Sequence, residues 1–467
     1  MLLGSLATYT ETMEARIDYL ERALSEADDD LPLRVEILLA LFEQVVVDPD
    51  KAGRRAEEAI GLLRERDEPG SLAQALIHRF IAGAVLGQGA SARLLDEALA
   101  LEARSKGPVE KYPLLWYHWI DDVEATRARY RLHDERDRDR GDVVARAELV
   151  EFLAMAEFRA GNWAQAERAL EDACETLAQF ELRGPFIASF TDRSVIDAHR
   201  GRIERARRTL HGILGAQPLD LFWRMICHSA QGAVEFCAND YEAADQAWAA
   251  MRAEAQDVGW IDSLDDRSEP DHVEGLIGLG RPEEARHVLE HLAWRGRTLP
   301  RLWIDAGLPR ARALVLAAEG KLSEALAIID AAPEIGMLPF EHARLLLVRG
   351  QIERRANRKL AARDSLRWAL ATFERLGSPP WEQRARDEMS RLGLRHRSAS
   401  ELTESERRIA ELAAAGMTNR QVAEAAFVSS KTVEANLARV YQKLGIRSRA
   451  ELGAHMAARS QEGQAQT

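Results

Sequence analysis

The 467-residue sequence contains only three cysteines, a small share of aromatic residues and no long uninterrupted apolar run. Cys174, Cys227 and Cys237 lie far apart, with no CxxC spacing and no matching pair of histidines. We therefore expect three buried thiols in a reducing compartment, and no zinc site. The absence of about 18 consecutive apolar residues argues against a membrane-spanning helix. The N-terminus also lacks the basic region of a secretion signal, so we expect a cytoplasmic protein without membrane contact.

Positive charge is scarce overall but is concentrated near the C-terminal end. The chain has 63 basic and 76 acidic residues, a formal net charge of −13. Residues 399–467 hold nine basic and eight acidic residues, which leaves 54 basic and 68 acidic residues, a balance of −14, in residues 1–398. Between Ser430 and Ser460 there are six basic and two acidic residues. The end of the chain therefore has a locally positive field, whereas the acidic body discourages indiscriminate adsorption to nucleic acid.

Signals for β-strands are scarce, and Ala, Leu, Glu and Arg at helical spacing dominate almost everywhere. The sequence therefore predicts an all-α protein. A six-residue phrase, which begins with Gly or Asn and ends with Ala, recurs along the chain. The copies are GNWAQA at 161, GRIERA at 201, NDYEAA at 239, GRPEEA at 280, GKLSEA at 320 and NRKLAA at 357. Their starts are 40, 38, 41, 40 and 37 residues apart, in the range of helix-turn-helix repeat arrays.

The residues of the phrase have a physical role. Gly or Asn suits a position with positive φ that ends one helix, and Ala suits the place where the next helix approaches its neighbour closely. KAGRRA at 51 and GASARL at 89 are interpreted as eroded copies, which extend the array toward the N-terminus. The array resembles tetratricopeptide repeats with longer units. Such arrays bind peptides, partners or small ligands on an extended concave face, and each unit contacts only its neighbours.

A smaller unit is predicted after residue 395, with a core at 400–460. Gly393 to Ser400 is interpreted as a polar linker. Three pairs beyond it have the spacing of helix capping boxes, namely Thr403 with Glu406, Thr418 with Gln421, and Ser448 with Glu451. Gly416 and Gly445 stand where helices should stop. The pattern predicts a small domain of four helices.

The third of these helices has two distinct faces. Its predicted buried stripe consists of Val433, Leu437, Val440 and Leu444. The opposite face is centred on Lys431, Ala435, Ala438 and Gln442, and it is slim enough to enter a major groove about 12 Å wide. Thr432, Arg439 and Lys443 share one flank, where they are suited to phosphate contacts.

Five short motifs of this segment together resemble the LuxR-type helix-turn-helix domain. They are Leu402-Thr-x-x-Glu406, Gly416-x-Thr-Asn419, Val422-Ala423, Ser429-x-Lys-Thr-Val433 and Lys443-Leu-Gly445. TVEANLARVYQKLG, together with residues 354–393 before it, is similar to the C-terminal half of the large ATP-binding LuxR-type regulators. The resemblance implies a helical signal-sensing array joined to a DNA-binding domain.

Carried over by position, the resemblance implies two sets of DNA contacts. Base reading falls on Glu434, Ala435 and Ala438. Phosphate contacts fall on Thr418, Asn419, Lys431, Thr432, Arg439 and Lys443. Many relatives have Lys at the positions of Glu434 and Ala438, and Asn436 replaces a frequent His, so the bases that are read stay open. A glutamate accepts a hydrogen bond from cytosine N4, and an alanine contacts a thymine methyl group.

Two motifs raise other functions. No G-x-x-x-x-G-K-[ST] motif occurs, and Gly320-Lys321 comes nearest but falls in a repeat turn, so we expect no ATP hydrolysis and no cofactor. The chain is either a regulator without the motor or the back half of a longer product. His287-Val-Leu-Glu290-His291 matches the H-x-x-E-H pattern of a zinc hydrolase. Its apolar stripe, formed by Ala285, Val288, Leu289 and Leu292, places both histidines on the outer face without a third ligand.

The sequence as a whole predicts a non-enzymatic transcription regulator, with a tetratricopeptide-like helical-repeat domain at 1–395 and a LuxR-type helix-turn-helix domain at 396–467. Its expected partners are double-stranded DNA bound by a homodimer, a small-molecule or protein ligand on the repeats, and RNA polymerase. The alternative is a repeat-based interaction scaffold whose terminal domain does not select DNA. The inducer, the operator and the choice between activation and repression stay open.

Overall fold

The computed structural model describes residues 13–27, 30–105, 110–179, 184–216, 219–263, 265–334, 336–392, 402 and 404–464. These residues form 24 α-helices and one 3-10 helix at Leu41–Val46, and no β-strand occurs among them. The all-α prediction is confirmed. The contacts within the chain divide it into two units, Met1–Leu392 and Gly393–Thr467, here called the body and the C-terminal unit. The predicted linker and Thr403 lie outside the described residues.

The body is built from twenty α-helices in the described part of the chain. They are α1 Met13–Glu26, α2 Leu31–Ala40, α3 Pro49–Leu63, α4 Pro69–Val85, α5 Ala92–Glu102, α6 Tyr112–Trp119, α7 Val123–Asp139, α8 Val143–Arg159, α9 Trp163–Ala178, α10 Gly184–His199, α11 Ile203–Ala216, α12 Leu221–Cys237, α13 Tyr241–Asp257, α14 Glu269–Gly278, α15 Pro282–Thr298, α16 Leu302–Ala318, α17 Leu322–Asp330, α18 Pro339–Arg355, α19 Lys359–Leu376 and α20 Pro379–Arg391. No helix in the described ranges is long and apolar enough to cross a membrane.

The six predicted repeat turns are confirmed. Their first residues all have positive φ, and they are Gly161, Gly201, Asn239, Gly280, Gly320 and Asn357. The alanines that end the phrases are almost completely buried, and they are Ala166, Ala206, Ala244, Ala285, Ala325 and Ala362. Each turn joins two helices of one repeat, for example α8 to α9 and α18 to α19. A small side chain is needed here because a long one would push the two helices apart.

The array continues upstream in a form that the phrase did not capture. Asp121 has φ 62° and begins a turn between α6 and α7, and Thr126 occupies the buried position that Ala takes elsewhere. This turn lies 40 residues before Gly161 and so keeps the period. The interpretation of KAGRRA as a turn was wrong, because Lys51 lies inside α3 and Asp48 caps that helix.

The body coils back on itself, which corrects the expectation that each unit contacts only its neighbours. The Trp260 indole Nε1 donates to the Val45 carbonyl oxygen at 3.2 Å, across 215 residues. The Ser378 hydroxyl donates to the His199 carbonyl oxygen at 2.6 Å, across 179 residues. One apolar core joins Trp163, Trp248, Phe340, Phe373 and Trp381, among others. Repeats far apart in sequence therefore meet along a seam.

Glycine allows the close approach at this seam. At Gly161, φ is +90° and an added Cβ would lie 2.8 Å from Pro339 Cγ. At Gly377, φ is +71° and an added Cβ would lie 2.6 Å from Nη1 of Arg200. That nitrogen donates to the carbonyl oxygens of Leu376, at 2.7 Å, and Gly377, at 3.0 Å. Neither position has room for a side chain.

The C-terminal unit contains four helices around a core of its own. They are α21 Glu404–Ala414, α22 Asn419–Ala426, α23 Ser430–Leu444 and α24 Arg449–Gln464. Ile409, Val422, Val433, Val440 and Leu452 are among its buried residues. Gly416 and Gly445 end helices at positive φ, as predicted. Phe427 also has positive φ and ends α22, at a position where glycine or asparagine is the usual residue.

Candidate nucleic-acid interface

The two predicted faces of α23 are confirmed. Val433, Leu437 and Val440 are buried in the core of the C-terminal unit, and Leu444 packs half-buried beside them. Lys431, Ala435, Ala438 and Gln442 are all exposed on the other side. The helix therefore presents a narrow polar ridge with two small side chains at its centre.

The charged side chains of this exposed face are free to bind. Lys431, Glu434 and Arg439 are exposed, and none of them forms a hydrogen bond or ion pair with the described part of the chain. At the start of α23, the Ser429 hydroxyl accepts from the Thr432 backbone N–H at 3.1 Å and lies 2.7 Å from Thr432 Oγ1. The capped start of α23 carries the positive end of the helix dipole next to Lys431.

The start of α22 is fixed by a complete capping box, as predicted. Thr418 Oγ1 accepts from the Gln421 backbone N–H at 3.4 Å, and Gln421 Oε1 accepts from the Thr418 backbone N–H at 2.8 Å. Asn419 Oδ1 accepts from Arg449 Nη1 at 3.0 Å, and Arg449 also donates to the Met417 carbonyl oxygen. Arg449 at the start of α24 therefore holds the turn in front of α22, a role that its sequence position did not indicate.

The predicted box at α24 closes differently. The Glu451 backbone N–H donates to Ser448 Oγ at 3.2 Å, but the Glu451 carboxylate accepts from the backbone N–H of Arg447, at 2.9 Å, instead of that of Ser448. The carboxylate also accepts from the Ser448 hydroxyl at 3.0 Å. The helix start is still capped, but the backbone N–H that donates to the Glu451 carboxylate lies one residue further upstream than in a standard box.

Lys443 has a partner inside the C-terminal unit. Its Nζ lies 2.5 Å from the carboxylate of Glu406, whose side chain is 4% exposed. This ion pair fastens α23 to α21. The phosphate contact assigned to Lys443 stays a prediction, and in the free unit the side chain serves to hold two helices together.

The sequence patterns did not indicate two exposed side chains near the interface. Arg420, in the first turn of α22, has a side chain that is 88% exposed, and its one ion pair with the described residues is a long one to Glu424, at 3.6 Å. Its position directly after Asn419 was the available signal. Phe427 is 91% exposed in the turn between α22 and α23. No local pattern predicts an exposed phenylalanine with positive φ, because propensity favours small or polar residues there.

The H-x-x-E-H residues lie in α15, and Gly320 lies in a turn between two helices. Ala285 and Leu292 are buried, Val288 and Leu289 are half-buried, and His287 and His291 lie on the exposed side of α15, as predicted. His291 Nδ1 is 2.5 Å from Glu269 Oε1, a pairing that the pattern did not indicate. Within the described ranges, no three His, Cys, Asp or Glu side chains are arranged to hold a metal ion. Gly320 lies in a repeat turn at φ 82°.

The three cysteines are free and buried, as expected. Burial raises the pKa of each thiol to about 12. A reactive cysteine needs a lowered pKa and access to solvent, so these thiols have the character of packing residues.

The body also buries ionisable groups with displaced pKa values. Burial and the neighbouring Asp192 raise the pKa of Glu151 well above its usual range. Burial and Asp265 do the same to the pKa of Asp192. Asp265 differs, because its side chain is 58% exposed. Partial desolvation opposes its ionisation, but a hydrogen bond from His118 and the charges of Arg267 and Arg159 hold its pKa at about 2. Burial and Arg159 lower the pKa of His118 to about 4, so this histidine is neutral near pH 7.

Known protein sequences resemble the C-terminal unit of this chain. Residues 400–457 match the family described as Bacterial regulatory proteins, luxR family. Over 84 residues the chain is 38% identical to proteins named as HTH-type transcriptional regulators, Mb0914c of Mycobacterium bovis and Rv0890c of Mycobacterium tuberculosis. The match covers 18% of this chain and 9% of each relative, so the chain spans only a small part of the relatives' length.

A solved structure resembles the larger part of the chain. The crystal structure of a Rap protein complexed with competence and sporulation factor matches with a TM-score of 0.56 and 14% identity. The match covers 73% of this chain and 98% of the Rap chain. At this identity the likeness is one of fold. The chain therefore carries a LuxR-type helix-turn-helix domain near its C-terminal end and a tetratricopeptide-like helical-repeat array in its body.

Proposed function

We propose that this chain is a DNA-binding transcription regulator, in which the C-terminal unit reads double-stranded DNA and the body receives a signal. One observation carries the DNA-reading part of the proposal. The exposed face of α23 has unpaired charged groups on either side of two alanines, and the opposite face is buried in the core. Such a helix enters a major groove without steric hindrance from its own side chains.

The base contacts belong to Glu434, Ala435 and Ala438. The small side chains of Ala435 and Ala438 permit close approach to base edges and contact with thymine methyl groups, and the Glu434 carboxylate is free to accept from cytosine N4. Phosphate contacts belong to Lys431, Thr432 and Arg439 on α23.

The start of α22 contributes a second set of phosphate contacts. Thr418 is the N-cap and Asn419 the first residue of that helix, and we add Arg420, whose guanidinium group is exposed beside them. Lys443 is kept in the set only as a residue that exchanges its partner Glu406 for a phosphate when DNA binds.

The remaining partners follow from the proposed role. A homodimer on DNA would place two copies of α23 in half-sites about 34 to 36 Å apart. RNA polymerase is a further proposed partner of the regulator on a promoter. The signal would be a small-molecule or protein ligand of the body, and the Rap protein complexed with competence and sporulation factor is a precedent for a ligand on this fold.

Salt-dependent binding tests the reading role. Anisotropy titrations of labelled genomic fragments should give dissociation constants that rise steeply with salt, because each neutralised phosphate releases counterions. Lys431→Ala and Arg439→Ala should each reduce the slope of log affinity against log salt by about one. Arg407→Ala, which removes an exposed unpaired charge from α21, is the matched control and should leave the slope unchanged. Salt slopes that are equal in all four proteins would favour the scaffold alternative.

A further inference from the structure

A pocket of about 410 Å³ opens at the seam of the body. One side is the turn and first residues of α9, and the other side is the end of α19. Its lining includes Gly161, Trp163, Arg168, Arg200, Arg375 and Gly377. The volume falls within the range of roughly 300–1,000 Å³ that is usual for small-molecule sites.

Arginine side chains with unpaired donors line the pocket, although the body as a whole is acidic. Arg168 and Arg375 are exposed, and neither forms a hydrogen bond or an ion pair with any residue that the structure describes. Arg200 is committed only in part. Its Nε donates to Glu167 at 3.2 Å and its Nη1 to two carbonyl oxygens of the seam, whereas its Nη2 has no partner among the described residues. Three guanidinium groups therefore line one pocket with donors to spare.

Further donors of the pocket wall are also unpaired. Asn162 forms no side-chain cap on α9, and its side-chain amide donates to Glu157 at 2.6 Å. The Gln165 backbone N–H donates to the Asn162 carbonyl oxygen at 3.0 Å, whereas the backbone N–H groups of Trp163 and Ala164 have no partner among the described residues. Trp163 is 2% exposed, yet its indole Nε1 has no hydrogen-bond partner in the described part of the chain. This N–H is enclosed by the protein, so the exposed guanidinium groups are the donors that a ligand in the pocket would meet.

We propose that this pocket binds a small anionic ligand through a carboxylate or phosphate group. Guanidinium forks match the planar oxygen pairs of carboxylates and phosphates, and Arg168 and Arg375 stand on opposite sides of the seam. Arg200 adds a donor between them. Trp163 and Leu376 border the pocket but are almost completely buried, so the arginines dominate the surface that a ligand would contact.

The position at the seam gives the ligand a means of changing the body. A molecule held by Arg168 and Arg375 joins repeats that are about 200 residues apart in sequence, and so stabilises the closed seam. A change in DNA binding on addition of the ligand would depend on the proposed function. The binding event itself requires no DNA.

The test uses the full chain, with inorganic phosphate and sodium benzoate as separate probes of the two anion classes. Thermal unfolding is followed as each probe is titrated against chloride at equal ionic strength. At least one probe should raise the midpoint in a saturable manner. Arg168→Gln and Arg375→Gln should each weaken the apparent affinity about tenfold, and the double variant should lose the saturable rise. Arg208→Gln, an exposed unpaired arginine of α11, is the matched control and should respond like the unchanged chain.

General stabilisation by excluded salts acts on all variants alike, so the difference between variants reports the pocket. Equal responses of the unchanged chain and the double variant, or no saturable response to either probe, would overturn the proposal. Arg375→Glu is a second variant that should reverse the preference for anions without touching the buried core. DNA titrations without probe separate the two hypotheses. DNA binding without a variant-dependent probe response refutes the pocket alone, and the reverse outcome refutes DNA reading alone.

Discussion

At the scale of single residues, both small and charged side chains define the candidate interface on α23. Ala435 and Ala438 leave the middle of the exposed face of α23 flat, and Glu434 beside them is an acceptor without a partner among the described residues. A carboxylate repels phosphate, so in the proposed complex with DNA it would face a donor on a base edge, such as cytosine N4. Cations stand at the edges, where the DNA backbone would pass.

Base and phosphate contacts should separate by mutation. Glu434→Ala and Ala435→Lys should change which sequences are preferred by about 1–3 kcal/mol per base pair. Arg439→Ala should instead weaken binding to all sequences by a similar factor, because phosphate contacts carry no sequence information. Competition titrations with a panel of single-base operator variants measure both. A changed preference in Arg439→Ala with an unchanged one in Glu434→Ala would reverse the assignment of the two roles.

Lys443 should behave differently from Arg439. Lys443→Met removes the ammonium group beside the nearly buried carboxylate of Glu406, and we expect the C-terminal unit to lose about 1–3 kcal/mol of stability. Arg439→Met removes an exposed unpaired charge and should change stability by less than about 0.5 kcal/mol. Urea unfolding of the C-terminal unit, followed by circular dichroism, compares the two. Equal stability of both variants would show that the ion pair does not fasten α23 to α21.

The buried histidine at the seam should make the body sensitive to acid. Burial, together with the charges of Arg344 and Arg384, lowers the pKa of His199 to about 3, and the unfolded chain has the usual value of about 6.5. The unfolded state therefore binds the extra proton, and stability is complete above pH 6.5 and falls as the pH drops toward 3.

The neutral ring is also required by geometry, because its Nδ1 accepts from Trp381 Nε1 at 3.2 Å. His199→Gln keeps an acceptor and cannot ionise. Between pH 6 and 4, the free energy of unfolding of this variant should fall less steeply than that of the unchanged chain. The difference between the two slopes should be about 1.4 kcal/mol per pH unit. Denaturant unfolding across this range measures the slope, and a variant as acid-sensitive as the unchanged chain would contradict the assignment.

At the scale of elements, the repeat turns were predictable because each depends on a few adjacent residues. A positive φ at Gly161 or Asn239 and a buried Ala five positions later are local requirements, so they leave a local pattern. The turn at Asp121 escaped because Asp and Thr meet the same requirements with different side chains. The two faces of α23 were predictable for the same reason, since helical periodicity alone separates Val433 from Ala435.

The seam was not predictable, because it joins residues that are far apart in sequence. The partners of Arg200, Ser378 and Trp260 lie about 175 to 215 residues away, and no spacing rule links them. The same limit applies to Lys443 and Arg449. Both residues look like surface cations in the sequence, and only the packing of α21, α22 and α24 shows that they are bound within the unit.

Two glycine turns provide a matched test of the seam. Gly161→Ala places alanine at a positive φ and adds a Cβ that would lie 2.8 Å from Pro339 Cγ. Gly320→Ala has the same kind of backbone, at φ +82°, but no atom within 4 Å of the added Cβ. We expect a loss of about 1 kcal/mol for Gly320→Ala and of about 2–4 kcal/mol for Gly161→Ala. Thermal and urea unfolding decide, and equal losses would mean that the seam is open in solution.

At the scale of the whole molecule, the closed body replaces the open concave surface that the repeats suggested. A ligand at the seam pocket would stabilise contacts between distant repeats. A ligand of an open array would instead change the curvature of the array. The isolated segment 393–467 has its own core and should bind DNA. It should lack any response to phosphate or benzoate, because the pocket lies in the body. A full probe response in this segment, measured by anisotropy, would place the signal outside the body.

The central claim is that α23 reads DNA sequence, and selection from random duplexes tests it most directly. The full chain is incubated with random double-stranded DNA at moderate salt, and the bound molecules are recovered and sequenced over several rounds. We predict an enriched motif that consists of two half-sites about one helical turn apart, and a different enriched motif for Ala435→Lys. Recovery of no enriched sequence by the chain, with binding that depends on salt alone, would contradict the claim.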